Sequence, residues 1–289
     1  MRTAIPLRLK SGLLSLLVLF LLVGIWHIAT LPTKSTAASL TPDQIEYAKL
    51  MGKDPEQMMA PVKSAFPTPS DMGATIVEQL AHPFYDNGPN DKGIGIQLAH
   101  SLQRVGLGFG LAALVAIPLG FVIGMSPLVY RVLDPFIQLL KPISPLAWMP
   151  IALYTIKDAS LSGIFVIFIC SIWPMLINTA FGVAGVRRDL LNVARTLEVS
   201  PLRKAFEVIL PAAAPTILTG MRISMGIAWL VIVAAEMLVG GTGIGYFVWN
   251  EWNNLSLTNV IFAILMIGLV GMALDQIFAK AQKAVTYAD

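Results

Sequence analysis

Six stretches of this 289-residue chain, about 11–31, 101–125, 133–155, 161–183, 216–239 and 258–279, are long and apolar enough to cross a bilayer. A helix needs roughly 20 mostly apolar residues to span the hydrocarbon core. Each such segment must satisfy its own backbone hydrogen bonds in lipid, so helices are the expected form and the class is an all-α polytopic membrane protein. The 56% share of hydrophobic residues against 13% charged removes the ordinary soluble class. The third run is the least regular, because Asp134, Lys141, Pro142, Pro145 and Pro150 interrupt it.

The first run follows Arg2, Arg8 and Lys10. It is longer than a signal-peptide core, so a retained anchor is expected, with cleavage near Ser35-Thr36-Ala37-Ala38 as the alternative. An even number of spans puts both termini on one side. Arg131, Arg187, Arg188, Arg195, Arg203, Lys204, Lys280 and Lys283 then share short connections on that side, whereas the opposite short connections carry mainly Lys157. Under the positive-inside rule the two termini and the 192–211 loop are cytoplasmic. The expected division is 1–32 for the tail and first helix, 33–96 for an extracytoplasmic segment, 97–280 for the main membrane domain with a loop at 184–215, and 281–289 for a tail. Within the outer segment Ser70 is expected to cap a short helix to about Leu80, with Met72, Ile76, Val77 and Leu80 at helical spacing.

Several chemistries lack residues to perform them. There is no Gly-x-x-x-x-Gly-Lys-Ser/Thr loop for ATP, so neither a nucleotide nor another cofactor is expected in this chain. Gly240-Gly241-Thr242-Gly243-Ile244-Gly245 misses the dinucleotide spacing and reads as a re-entrant turn. His27, His82 and His100 lie far apart, and no cluster has metal-ligand spacing. No nucleophile elbow is present, so no catalytic residue is assigned and the chain is not expected to be an enzyme. Cys170 lies in an apolar run and has no disulfide partner in the chain. The formal net charge of +3 is spread over segment ends, a pattern of membrane orientation rather than nucleic-acid binding.

Ionisable groups inside apolar segments are costly unless paired or hydrated, so Lys141, Arg222, Glu236 and Asp275 stand out. Arg222 and Glu236 are fourteen residues apart on one segment, about 21 Å, and cannot reach each other. Arg222 and Asp275, near segment ends, are expected to snorkel or brace the adjacent loop. Glu236 is expected to bond a neighbouring helix ahead of touching a substrate. Arg104 and Lys141, with Gln138, Asn178 and Thr179 as neutral donors, could line a path for a small anion. Interhelix bonding is the plainer reading for each. Gly106, Gly110, Gly120 and Gly124 permit close helix approach, and Pro118, Pro150 and Pro174 permit kinks.

Residues 192–211 carry a further pattern. An apolar-x-Leu-Pro sequence, Val208 to Pro211, begins sixteen residues after Asn192, with Val193 and Ala194 following Asn192 and Glu198 six residues beyond it. This spacing resembles the Glu-Ala-Ala loop of ABC importer permeases, with Asn192 at the glutamate position and Glu198 at the glycine. Phe66-Pro67-Thr68-Pro69, Leu133-Asp134-Pro135-Phe136-Ile137-Gln138, Pro145-Leu146-Ala147-Trp148-Met149-Pro150 and Ala235-Glu236-Met237 extend the resemblance to permeases of the nitrate, sulfonate and taurine family, most closely its nitrate branch.

The resemblance implies a type I ABC importer membrane domain with about six spans in a bacterial inner membrane. It implies a second permease copy, cytoplasmic ABC ATPase subunits holding ATP and Mg, and an extracytoplasmic substrate-binding protein. Asn192, Ala194, Leu197, Glu198, Val199, Ser200, Pro201, Leu210 and Pro211 would couple to the ATPase. Arg104, Gln138, Lys141, Asn178, Thr179 and Glu236 would line the path of a small anion, nitrate or nitrite, with bicarbonate, cyanate or taurine and other sulfonates as alternatives. A secondary transporter or a membrane scaffold are the readings from other classes.

Overall fold

The computed structural model describes residues 7–31, 50 and 66–285. The expected cleavage region at 35–38 and the last residues of the C-terminal tail lie outside them. The described chain separates into two compact units, one containing residues up to Ala81 with Ser256–Phe262 and the other His82–Leu255 with Ala263 onward.

In the first unit α1, Leu7–Thr30, is apolar around its circumference from Gly12 to Trp26 but for Ser15, as a helix in contact with lipid requires. Near its end the Trp26 indole donates to the Pro67 carbonyl at 3.0 Å and sits edge-on to Phe66. Helix α2, Pro69–Ala81, starts one residue before the expected cap at Ser70. Thr68 caps it instead: its hydroxyl accepts from the Asp71 amide, and Asp71 Oδ2 accepts from the Thr68 amide at 3.0 Å. This reciprocal box, with Pro69 at the first helical position where no N–H is needed, outcompetes Ser70.

The second unit is built on α3, Ile94–Met125, α6, Ala159–Ala184, and α9, Leu210–Val239. Helix α6 lies between the other two. Glycine sets the α3–α6 approach: a Cβ at Gly108 would press on Ile167, one at Gly120 on Thr179, and one at Gly124 on Val183. Of the two expected Gly-x-x-x-Gly pairs, Gly120 and Gly124 therefore pack, while Gly106 and Gly110 meet nothing within 4 Å. Helices α3 and α6 continue through Pro118 and Pro174. Gly220 of α9 similarly admits Asn178 of α6.

The third expected span is not one helix. It divides into α4, Pro127–Leu140, and α5, Pro145–Ile156, bent by 91° across a four-residue break. The break falls at Lys141-Pro142-Ile143-Ser144: Lys141 keeps helical backbone, Pro142 then withholds the N–H that the Gln138 carbonyl would accept, and Pro145 opens the next helix. The described residues thus give five helices long and apolar enough to span a membrane, and six spans if the bent pair is one.

Between α6 and α9 lie α7, Arg188–Thr196, the single turn α8, Pro201–Lys204, and a π-helical turn, Ala205–Ile209. The π-turn has a local cause. Pro211 offers no N–H and its ring crowds the carbonyl four residues earlier, that of Glu207, so the chain widens and the Leu210 amide bonds the Ala205 carbonyl. Beyond α9 come α10, Ile244–Asn253, and α11, Leu257–Val285. From Ala263 onward α11 reaches α9 through long side chains. Arg222 binds Asp275 with two bonds at 2.5 and 2.7 Å, Trp229 donates to the Ile267 carbonyl, and Gln282 donates to Thr219. Arg222 and Asp275 are therefore partners across α9 and α11.

Candidate functional site

The six residues expected along an anion path fall into three separate places. Gln138 and Lys141 line an open cavity of about 830 Å³ between the C-terminal halves of α3 and α6 and α4. Its other walls are mainly apolar, including Ile123, Ile137, Leu176 and Phe181, and its charged members are Lys141 and Asp134. Asp134, Gln138 and Lys141 are spaced by four and three residues, so they share one face of α4. Gln138 Nε2 donates to Asp134 Oδ2 at 2.8 Å, which commits one amide hydrogen expected to face an anion. Asn178 and Thr179 do not line this cavity. Asn178 donates to the Pro174 carbonyl one turn back, and Thr179 is buried against Gly120 with its hydroxyl unpartnered.

Arg104 and Glu236 bind each other instead, at 2.7 Å, in a buried polar cluster beside a smaller cavity of about 180 Å³. Glu236 Oε1 accepts from Arg104 and Ser101, and Oε2 accepts from Ser101 and from the Gly245 amide at 3.0 Å. The Gly243 amide donates to Gln97 Oε1 at 2.6 Å, and the Ile244 amide to Ser101 Oγ at 2.9 Å. Arg104 completes the ring by donating to the Thr242 carbonyl and to Ser160 Oγ.

The amides of residues 243 to 245 open α10, and a helix start leaves such groups without intrahelical partners. Gly243, the cap residue, has no side chain to satisfy them, so Gln97, Ser101 and Glu236 cap the helix from α3 and α9. The carboxylate suits the positive end of the helix dipole, and Arg104 balances its charge. Glycine is required at the contact: a Cβ at Gly243 would overlap the Glu236 carboxyl, and one at Gly245 the Val233 carbonyl. Gly240 and Gly241 reverse the chain with φ of 79° and 91°, values side-chain-bearing residues rarely adopt. Sequence reasoning missed Gln97, Ser101 and Ser160. A signal existed for the first two, since Gln97, Ser101 and Arg104 repeat the four-then-three spacing that puts polar residues on one face of α3.

The residues expected to couple to the ATPase lie elsewhere, on and beside the α7–α8 segment. Ala194 is buried, while Leu190, Val193, Leu197, Leu202 and Phe206 are exposed among Arg187, Arg188, Arg195, Arg203 and Lys204. Helix α7 ends in a Schellman turn: the Val199 amide bonds the Ala194 carbonyl, the Glu198 amide bonds that of Arg195, and Glu198 has φ of 51°. This explains physically why the frame places glycine there. Ser200 and Pro201 start α8. Asn192 is exposed, and its carbonyl accepts from Thr196. Leu210 packs on a small core of Val183, Val186, Ile209, Ala213 and Ile217, which joins this segment to the ends of α6 and α9.

Comparison with known proteins agrees with this architecture. Residues 116–286 match the family described as binding-protein-dependent transport system inner membrane component. The nitrate import permease protein NrtB of Synechocystis sp. is 46% identical over 226 residues, 78% of this chain and 82% of that protein. The bicarbonate transport system permease protein CmpB of the same organism is 44% identical over 207 residues, 71% of this chain and 74% of that protein. Among solved structures, an inward-facing form of the MetNI methionine ABC transporter matches with a TM-score of 0.54 and 15% identity, covering 65% of this chain and 94% of that one. This protein is a multi-pass membrane permease, a transport component rather than an enzyme, and the chain belongs to the family of binding-protein-dependent transport system inner membrane components.

Proposed function

We propose that this chain is the permease subunit of an ATP-driven inner-membrane importer for a small inorganic anion, nitrate or nitrite. Two copies form the path, cytoplasmic ABC ATPase subunits carry ATP and Mg, and an extracytoplasmic binding protein delivers the anion. Both termini and the 184–215 loop are cytoplasmic, in line with the distribution of Lys and Arg. The observation that carries the reading is the α7–α8 segment. Five exposed apolar side chains, interspersed with cations of which Arg187 and Arg203 pair with Asp189 and Glu207, sit on a segment tied to the end of α6 and the start of α9. Such a patch in an aqueous loop marks a protein contact. Asn192, Ala194, Leu197 to Pro201, Leu210 and Pro211 form and support it. Closure of the ATPase dimer draws the docked segments together, and α6 and α9 carry the displacement to the cavity.

The 830 Å³ cavity, with Lys141 at the helix break, is the anion passage on this reading. Nitrate supports it through the 46% identity to NrtB, and bicarbonate is the second reading through the 44% identity to CmpB. Both are small, singly charged oxyanions. Substrate-stimulated ATP hydrolysis in proteoliposomes, with the cognate binding protein and nitrate, nitrite, bicarbonate, cyanate or taurine, tests the assignment. Stimulation by nitrate or nitrite alone is expected. Stimulation by bicarbonate or taurine alone would replace the substrate, and absence of any ATPase partner would overturn the importer.

A further inference from the structure

The larger cavity holds a charge that an anion passage does not need. Asp134 faces it from the same side of α4 as Lys141, seven residues or about 10 Å along the axis. Among the described residues no ion pair joins the two. The Gln138 amide holds the Asp134 carboxylate in place. An otherwise mostly apolar cavity therefore contains one cation, the exposed Lys141 at the helix break, and one anion held by Gln138, and its net charge is zero.

Charge scaling decides what such a cavity accepts. Attraction to a fixed charge grows in proportion to the ion's charge, whereas the cost of taking an ion out of water grows with the square of that charge. A singly charged anion beside Lys141 trades a modest desolvation cost for one favourable contact. A dianion meets four times the desolvation cost with only twice the attraction, and twice the repulsion from Asp134. Removing Asp134 would leave Lys141 unopposed and raise the attraction of the whole cavity for anions.

We propose that Asp134 is a valence filter: opposed to Lys141 across one face of α4, it restricts the cavity to singly charged small anions and excludes dianions. This rests on the reading of the cavity as the anion passage. It places part of the selectivity in the permease itself, independent of the binding protein.

The test uses the assembled permease and ATPase complex in nanodiscs without binding protein, with Cys170→Ala and one cysteine introduced as Ile177→Cys in the opposite cavity wall. The measurement is the rate of modification by a small thiol reagent in nitrate, sulfate or a large impermeant anion at equal ionic strength. Nitrate is expected to slow labelling several-fold and sulfate to leave it unchanged. In Asp134→Asn, and in Asp134→Ser as a second variant, sulfate is expected to gain measurable protection, while Asp134→Glu keeps sulfate excluded. Gln138→Ala, which keeps the charge, is expected to exclude sulfate as well. Sulfate protection with Asp134 present would overturn the filter, as would no gain of sulfate protection in the folded Asn and Ser variants. Protection by neither anion in any variant would overturn the cavity as the passage and the filter with it.

Discussion

Glu236→Gln changes almost no volume and should nonetheless be among the most damaging single substitutions in this chain. The carboxylate is buried, 3% exposed, and its partner Arg104 is 14% exposed. Its two oxygens accept from Arg104, Ser101 and the Gly245 amide. A glutamine offers one oxygen and one NH2 group. Whichever way it turns, the NH2 faces a donor, either the Arg104 guanidinium or the Gly245 amide, and Arg104 loses its counter-charge. Breaking a buried ion pair on one side costs about 3–5 kcal/mol, much of it the penalty of the charge left behind. Removing both charges avoids that penalty, so Arg104→Gln with Glu236→Gln should cost less than the sum of the two single changes. Reversible denaturation of the purified complex in mixed micelles, followed by tryptophan fluorescence, measures both quantities. A loss under about 1 kcal/mol for Glu236→Gln, the range of an ordinary surface change, would refute the clamp. Strictly additive losses in the double variant would refute the charge argument while leaving the hydrogen bonds. Arg222→Gln serves as the contrast: the Arg222–Asp275 pair is half-exposed, and its loss should be much the smaller.

Three further outcomes follow from the remaining geometry. Lys141→Ala should lower nitrate-stimulated ATP hydrolysis and anion uptake in proteoliposomes while leaving the yield of assembled complex unchanged, and unchanged uptake would remove Lys141 from the passage. Glu198→Gly, at φ of 51° in the Schellman turn, should stabilise the folded complex by about 1 kcal/mol in thermal unfolding, because glycine adopts that conformation without steric cost. Pro211→Ala restores an N–H opposite the Glu207 carbonyl and should let the π-turn relax towards α-helix. The expected result is ATP hydrolysis retained with uptake reduced, and normal uptake per ATP would show that the turn does not matter to coupling.

The membrane class and most spans are legible because a run of apolar residues has few ways to satisfy its backbone in lipid. The places where reading failed are those where a single residue answers to something distant. Glu236 announces that it needs a partner, yet Arg104 lies 132 positions away and nothing local to either residue points to the other. The glycines of the 240–245 turn are readable as a chain reversal, but the particular need for glycine at 243 comes from the Glu236 carboxyl, which only the folded turn brings over it. Ser70 and Thr68 were both competent caps. Asp71, three residues after Thr68, decides between them by closing the reciprocal bond. In the third span the prolines signalled trouble, while the site of the break follows Lys141, which stays helical, and lies between Pro142 and Pro145.

The two ends of α9 illustrate how the same helix is treated differently by its neighbours. At its C-terminal end Glu236 is locked by bonds to α3 and to the start of α10, and the reversing glycines admit no substitution without collision or backbone strain. At its N-terminal end Pro211 and Pro215 each withhold an N–H, so the carbonyls of Glu207 and Pro211 lose the donors that an unbroken α-helix would give them. The first is answered by the π-turn. The second has no such answer: the Thr219 hydroxyl donates to the Pro215 carbonyl, one turn further along, and not to that of Pro211. Over roughly 45 Å the helix therefore passes from a segment with backbone bonds missing to one pinned by a charged cap. Displacement applied at the α7–α8 segment must enter α9 through its least bonded turn and arrive at its most constrained one, which makes the π-turn, rather than the glycine-rich reversal, the place where the helix can bend.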